Sequence, residues 1–156
     1  LHYLIAIIII TVVGFGLRLY TLDRLPLLVD EIGFAARASD MLHGQRIPIF
    51  APGHNGNPAV FSWLLSGSME LFGQTRFAMR LVSLAFGTLS IPAAYALGRA
   101  WWSQRVGIIA AVFLATYPAH VYFSRLALYN IVDPFFALLA LAAIISTLAG
   151  RWSGAL

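Results

Sequence analysis

Ten arginines, no lysine and six carboxylates are spread over 156 residues, and only a few are spaced so as to do chemistry together. The first candidates are the adjacent acids Asp30 and Glu31. A carboxylate at the edge of an apolar protein can accept the proton of an attacking hydroxyl, which is the work of a general base. Neighbouring side chains on a helix diverge by about 100°, so both acids are not expected to address one atom. One is a candidate base, and the other orients it or binds something else. A structural reading competes: Asp30 as the N-cap of a helix, with Glu31 at the helix's positive end.

Arg125, Tyr129 and Asp133 recur every fourth residue. If helical, they form a polar track that either binds phosphate through Arg125 or closes on itself as an ion pair. Asp133 also interrupts an apolar run, where an acid is costly without a role, although Asp133-Pro134 equally suits an N-cap followed by a first-turn proline. Arg76 and Arg80 fall one turn apart, suited to lipid headgroups or to a substrate phosphate. His54 and Asn57 lie in a Gly- and Pro-rich stretch that offers hydrogen bonds on a pliable backbone. His2, His43, His54 and His120 lack ligand-like spacing, so no metal site is expected. The absence of Cys removes disulfides and thiolate chemistry.

The elements that must position these groups are membrane helices. The chain is 60% hydrophobic and 10% charged, far from the composition of a water-soluble domain. Apolar runs cover 1–17, 81–98, 106–124 and 126–150; the first three contain no Asp, Glu, Lys or Arg, and each is near the ~20 residues that cross a bilayer as a helix. The expected fold class is all-α: a polytopic membrane protein with about four transmembrane helices (1–20, 76–98, 106–124 and 133–150) and two interfacial helices in a first outer loop (21–75). The first apolar run lacks a basic lead and a small-residue cleavage site, so it is expected to be a retained helix. The arginines are scattered, which argues against a nucleic-acid surface.

Arg99 and Arg105 in one short connection, and Arg151 after the last span, predict that these places face the cytoplasm and the long loop faces outside. Within that loop, residues 31–42 are expected to form a surface helix capped by Asp30 and stopped by Gly44, with Ile32, Ala35, Ala36, Ser39 and Met41 or Leu42 on its apolar side and Arg37 and Asp40 on its wet side. Residues 58–72 are expected to form a second, with Asn57 as cap, Pro58 at its first position and Val60, Phe61, Leu64, Leu65, Met69 and Phe72 as its stripe. Trp101 and Trp102 suit an interfacial belt.

The ordered features resemble the amino-terminal region of the GT-C superfamily of membrane glycosyltransferases, specifically the family 39 group of protein mannosyltransferases and lipid A aminoarabinose transferases. The matching residues are Leu25-Pro26 before Asp30-Glu31, His43-Gly44 with Pro48, Asn57-Pro58 leading to Trp63, and Leu71-Phe72-Gly73. They continue with Arg80-Leu81, Gly87, Tyr95, Gly98-Arg99, Pro118, Phe123-Ser124-Arg125 and Asp133. Pro58-Ala59 stands where many relatives carry two prolines.

The resemblance implies a sugar moved from a polyprenyl-phosphate carrier to an acceptor outside the membrane, with inversion, by an integral protein of the plasma (inner) membrane. It implies Asp30 as base and Glu31 as its support, Arg125 and Arg80 on the lipid phosphate, and Asp133 orienting Arg125 or meeting the acceptor. His54, Asn57 and Tyr129 join the substrate-binding set. No cofactor is called for, with a divalent metal held by carboxylates as the open alternative. Relatives are several times longer, so the chain is expected to be one part of such an enzyme. Rival readings are a non-catalytic subunit that binds lipid or assists assembly and, less supported, a transporter, which would want Gly- or Pro-broken helices at mid-membrane.

Overall fold

A computed structural model describes residues 1–45 and 59–150, and every regular element among them is helical. Helix α1 (His2–Leu19) is followed by a 3₁₀ turn at Leu22–Arg24, then α2 (Val29–Leu42), α3 (Ala59–Phe72) and the long α4 (Arg76–Trp101). After these come α5 (Gln104–Thr116), the short α6 (Pro118–Phe123), a 3₁₀ turn at Tyr129–Ile131 and α7 (Val132–Leu148). Thr75 caps α4, its hydroxyl accepting from the Ala78 N–H at 3.1 Å, and Ser103 caps α5 by accepting from Val106 N–H at 3.3 Å.

Helix α4 is the hub. Its amino-terminal end joins α2, α3 and the turn at 126–128 in a core of Phe34, Ala38, Phe61, Leu65, Met69, Ala78 and Leu126 to Leu128. Deeper along it, Ile91 packs with Ile7 of α1 and Ala111 and Ala115 of α5. The α4–α5 hairpin closes on glycine: a Cβ on Gly98 would stand 2.8 Å from the Gly107 Cα, and one on Gly107 would stand 2.6 Å from the Tyr95 carbonyl oxygen. Helix α7 leans on α4 through Phe135 and Phe136 against Phe86, at ring separations of 5.4 and 5.9 Å.

Most of α1 and α7 turns large apolar side chains outward, among them Leu4, Ile8, Val12, Phe136, Leu141 and Ile144. Such surfaces are stable against hydrocarbon and costly against water. Three helical stretches are long and apolar enough to cross a membrane, His2–Arg24, Arg76–Trp101 and Tyr129–Leu148, and α3 and α5 are shorter apolar helices. The chain is therefore a helical integral membrane protein.

The expected span 106–124 is not one helix. Proline disfavours helical backbone in the residue before it, and Tyr117 is accordingly extended (φ −62°, ψ 116°), ending α5 at Thr116 and starting α6 at Pro118. Asp30 and Asp133 are not N-caps, because each helix begins one residue before its acid; Leu28 and Ile131 hold the cap positions. The buried face of α2 is Glu31, Phe34 and Ala38, whereas Ile32 is 53% exposed. The helix is rotated from its expected setting because the charged Glu31 has a buried partner. On α3, Phe61, Leu65 and Met69 turn inward, while Val60, Leu64 and Phe72 face out. The expected Asn57 cap, Pro58 and His54 lie outside the described residues.

Candidate active site

Glu31 and Arg80 are both fully buried, and they join α2 to α4. The Arg80 Nε donates to Glu31 Oε1 at 2.8 Å and its Nη2 donates to Oε2 at 2.9 Å, the two-pronged pairing that a planar guanidinium favours. Its other donors go to the carbonyls of Leu22 and Leu25 through Nη1 and of Pro26 through Nη2. All five N–H groups of this guanidinium are thus engaged inside the fold, and none is left for a phosphate. Arg80 thereby gathers the chain between α1 and α2 through the carbonyls of Leu22, Leu25 and Pro26.

The Glu31 carboxylate is equally committed. Oε2 accepts from the Leu28 N–H at 3.1 Å, the backward half of a capping box, and Oε1 accepts from the Ala127 N–H at 2.8 Å, drawing the 126–128 turn onto α2. Burial pushes the Glu31 carboxyl upward, but the hydrogen bonds from Arg80, Ala127 and Leu28 and the Arg80 charge outweigh it, leaving it below the usual glutamate value. It stays ionised and is not poised to exchange protons.

Asp30, one residue earlier, is exposed and points elsewhere, as the divergence of adjacent helical positions requires. It lines a cleft of about 360 Å³ together with Val29, Gly33, Phe34, Arg37, Leu128 and Tyr129. Phe34 is the floor: its ring meets Phe61 edge-on at 5.3 Å and Tyr129 at 5.7 Å, and the Arg37 guanidinium carbon sits 5.9 Å from its centroid. Leu128 and Tyr129 reach the cleft because Glu31 holds Ala127 and the Ser83 hydroxyl donates to the Leu128 carbonyl at 3.1 Å.

Arg125, Tyr129 and Asp133 do not form the expected track. Residues between α6 and the 129–131 turn are not helical, so the four-residue spacing does not stack them. Arg125 Nη2 donates instead to the Tyr20 carbonyl at 2.6 Å and to the Thr21 hydroxyl at 2.9 Å, while its buried Nε has no partner among the described residues. Thr21 has a left-handed backbone (φ 53°), a conformation unfavourable for a β-branched residue, and Arg125 braces it. Asp133 is exposed in the first turn of α7.

Two functional candidates were not singled out from the sequence. Arg37 was placed only on the wet side of α2; its spacing of seven from Asp30, two helical turns, was the available signal. Arg18 is fully buried at the end of α1, with Nη1 donating to the carbonyls of Gly14 (2.8 Å) and Ala115 (3.1 Å) and Nη2 to that of Leu114 (3.1 Å). Its Nη2 also donates to His120 Nδ1 at 2.9 Å and its Nε to the Ser124 hydroxyl at 3.2 Å. Pro118 has no N–H to offer the Leu114 carbonyl, and the extended Tyr117 removes the next donor, so Arg18 completes the broken helix. The negative end of α5 in turn stabilises its charge. Among the described residues, no three His, Asp or Glu side chains converge as metal ligands.

The profile of one family, dolichyl-phosphate-mannose-protein mannosyltransferase, matches residues 56–154, a span that includes Arg80, Arg125, Tyr129 and Asp133 and begins after Asp30 and Glu31. No curated protein and no solved structure matches the chain. The match covers well over half of a chain whose helices are those of an integral membrane protein. The chain belongs to the dolichyl-phosphate-mannose-protein mannosyltransferase family of membrane glycosyltransferases.

Proposed function

We propose that this chain carries the first outer loop of an inverting glycosyltransferase of family 39 type, which moves a sugar from a polyprenyl-phosphate carrier to an acceptor hydroxyl on the non-cytoplasmic face of the plasma (inner) membrane. Asp30 is the base. It takes the hydroxyl proton as the acceptor oxygen attacks the anomeric carbon, the bond from that carbon to the phosphate oxygen breaks, and the carrier leaves as polyprenyl phosphate with the bonding electrons. Attack opposite to the leaving oxygen inverts the anomeric centre. The observation that carries this reading is the division of labour between neighbours: Glu31 is spent inside the fold on Arg80, whereas Asp30 has no partner among the described residues and lines a cleft.

Glu31 and Arg80 are positioning residues in this scheme, fixing the first turn of α2 and so the base. Departure of the carrier needs positive charge at its phosphate. Arg125 is one candidate for it, with Nη1 uncommitted among the described residues. Asp133 orients Arg125 or meets the acceptor, and Tyr129, His54 and Asn57 complete the substrate-binding set.

The test is donor-dependent release of polyprenyl phosphate by the full protein in proteoliposomes supplied with polyprenyl-phosphate hexose and a membrane extract as acceptor source. Release above that of protein-free vesicles supports the enzyme. Carrier binding without release would favour the lipid-binding subunit instead.

A further inference from the structure

Arg37 is the cation of the Asp30 cleft. Its guanidinium lies against the Phe34 face, and among the described residues no carboxylate lies within ion-pair distance of it. An aromatic face orients the planar group by cation–π attraction while leaving its edges, which carry the N–H donors, free. Phe34 is itself immobilised by Phe61 and Tyr129, so Arg37 stands on a rigid platform. The neighbouring arginines are placed differently: Arg80 has no donor left, and Arg125 is tied to Tyr20 and Thr21 and does not line the cleft.

Spacing argues for what Arg37 meets. Seven residues of helix rise about 10 Å, so the backbones of Asp30 and Arg37 stand that far apart on one side of α2. An in-line displacement needs a base about 3 Å behind the attacking oxygen, the reacting carbon between the two oxygens, and a donor about 3 Å from the departing phosphate. Those lengths together come to roughly 10 Å. Asp30 and Arg37 line one cleft of about 360 Å³, and a sugar held in it has its acceptor side toward Asp30 and its phosphate toward Arg37.

We infer that Arg37, resting on Phe34, binds the phosphate of the polyprenyl carrier across the cleft from Asp30. This rests on the proposed transferase reading and adds to it the residue that recognises the leaving group. The Tyr129 hydroxyl, from the opposite wall, is the second donor.

Equilibrium binding of a radiolabelled polyprenyl monophosphate, with no sugar attached, to the full protein in phosphatidylcholine nanodiscs tests it. Losing a charge-assisted contact should raise Kd on the order of tenfold or more in Arg37→Gln, with Arg37→Lys in between because it keeps the charge and loses the fork. Asp30→Asn should bind as tightly as wild type or more tightly, since it removes a like charge. An unchanged Kd in both Arg37 variants overturns the inference, as does a loss found in Arg125→Gln and not in Arg37→Gln. If Arg37→Gln does not fold, Arg37→Lys decides: a severalfold loss supports the assignment and wild-type affinity overturns it. Dioleoyl phosphatidic acid is the second arm; weak competition supports a carrier site, and competition equal to that of the carrier makes the site a general headgroup site and overturns it. Full transfer by Asp30→Asn would remove the base while leaving these binding results intact, so the two failures are distinguishable.

Discussion

Replacing Glu31 by glutamine keeps the shape of the side chain and removes what the surrounding groups require of it. Four N–H donors converge on its two oxygens, from Arg80 Nε, Arg80 Nη2, Leu28 and Ala127. An amide offers one oxygen and turns an NH₂ group toward the donors that met the other. The buried Arg80 charge then has no counter-ion, and breaking such a pair from one side costs about 3–5 kcal/mol. At roughly 2–4 °C per kcal/mol for a chain of this size, Glu31→Gln should melt on the order of 10 °C below wild type. The assay is thermal unfolding of the full protein in detergent, followed by tryptophan fluorescence. Arg80→Met and the double variant complete a cycle, with a coupling energy on the order of 1 kcal/mol or more. A native pKa held below the ordinary glutamate value means the unfolded state binds the proton more readily. The contribution is therefore complete above the ordinary carboxylate range and is lost as pH falls through the depressed native value. Wild type should lose stability over that acid range and Glu31→Gln should lose less. A melting point within about 2 °C of wild type, or additive single variants, would refute the claim that this pair holds α2 to α4.

Two further perturbations test the packing around the broken helix. A Cβ on Gly87 would overlap the Ser124 side chain, whereas Gly16 faces open space; Gly87→Ala should cost about 1–3 kcal/mol by overpacking, and Gly16→Ala should be neutral or stabilising, both read by thermal melting. Arg18→Met should lower the melting point strongly, because the carbonyls of Leu114 and Ala115 lose their donor. Adding Pro118→Ala should recover part of the loss by restoring an N–H for Leu114, and no recovery would mean that Arg18 does not complete α5.

The elements were largely legible in the sequence because hydrophobic run length is a local property, and α1, α4 and α7 follow it. The break at Pro118 was also written locally, but an unbroken apolar run from 106 to 124 outweighed a single proline. The opposed directions of Asp30 and Glu31 follow from helix geometry alone. Which acid turned inward does not, since it depends on Arg80, 49 residues away on another helix. Arg18 was hidden for the same reason: its partners are carbonyls of α5 and side chains of α6, brought together only by folding. Arg37 was within reach, two turns from Asp30, yet the helical spacing that gathers the apolar residues of α2 on one face leaves it with Asp40 on the wet side, where it reads as a solvated charge.

In the proposed mechanism Asp30 takes the acceptor's proton, and turnover of Asp30→Asn in the full protein measures that directly. Removing a general base should slow sugar transfer by about 10²–10⁴-fold, with the melting temperature at the wild-type level and carrier affinity at that level or above it. Transfer at the wild-type rate by a folded Asp30→Asn protein would contradict it.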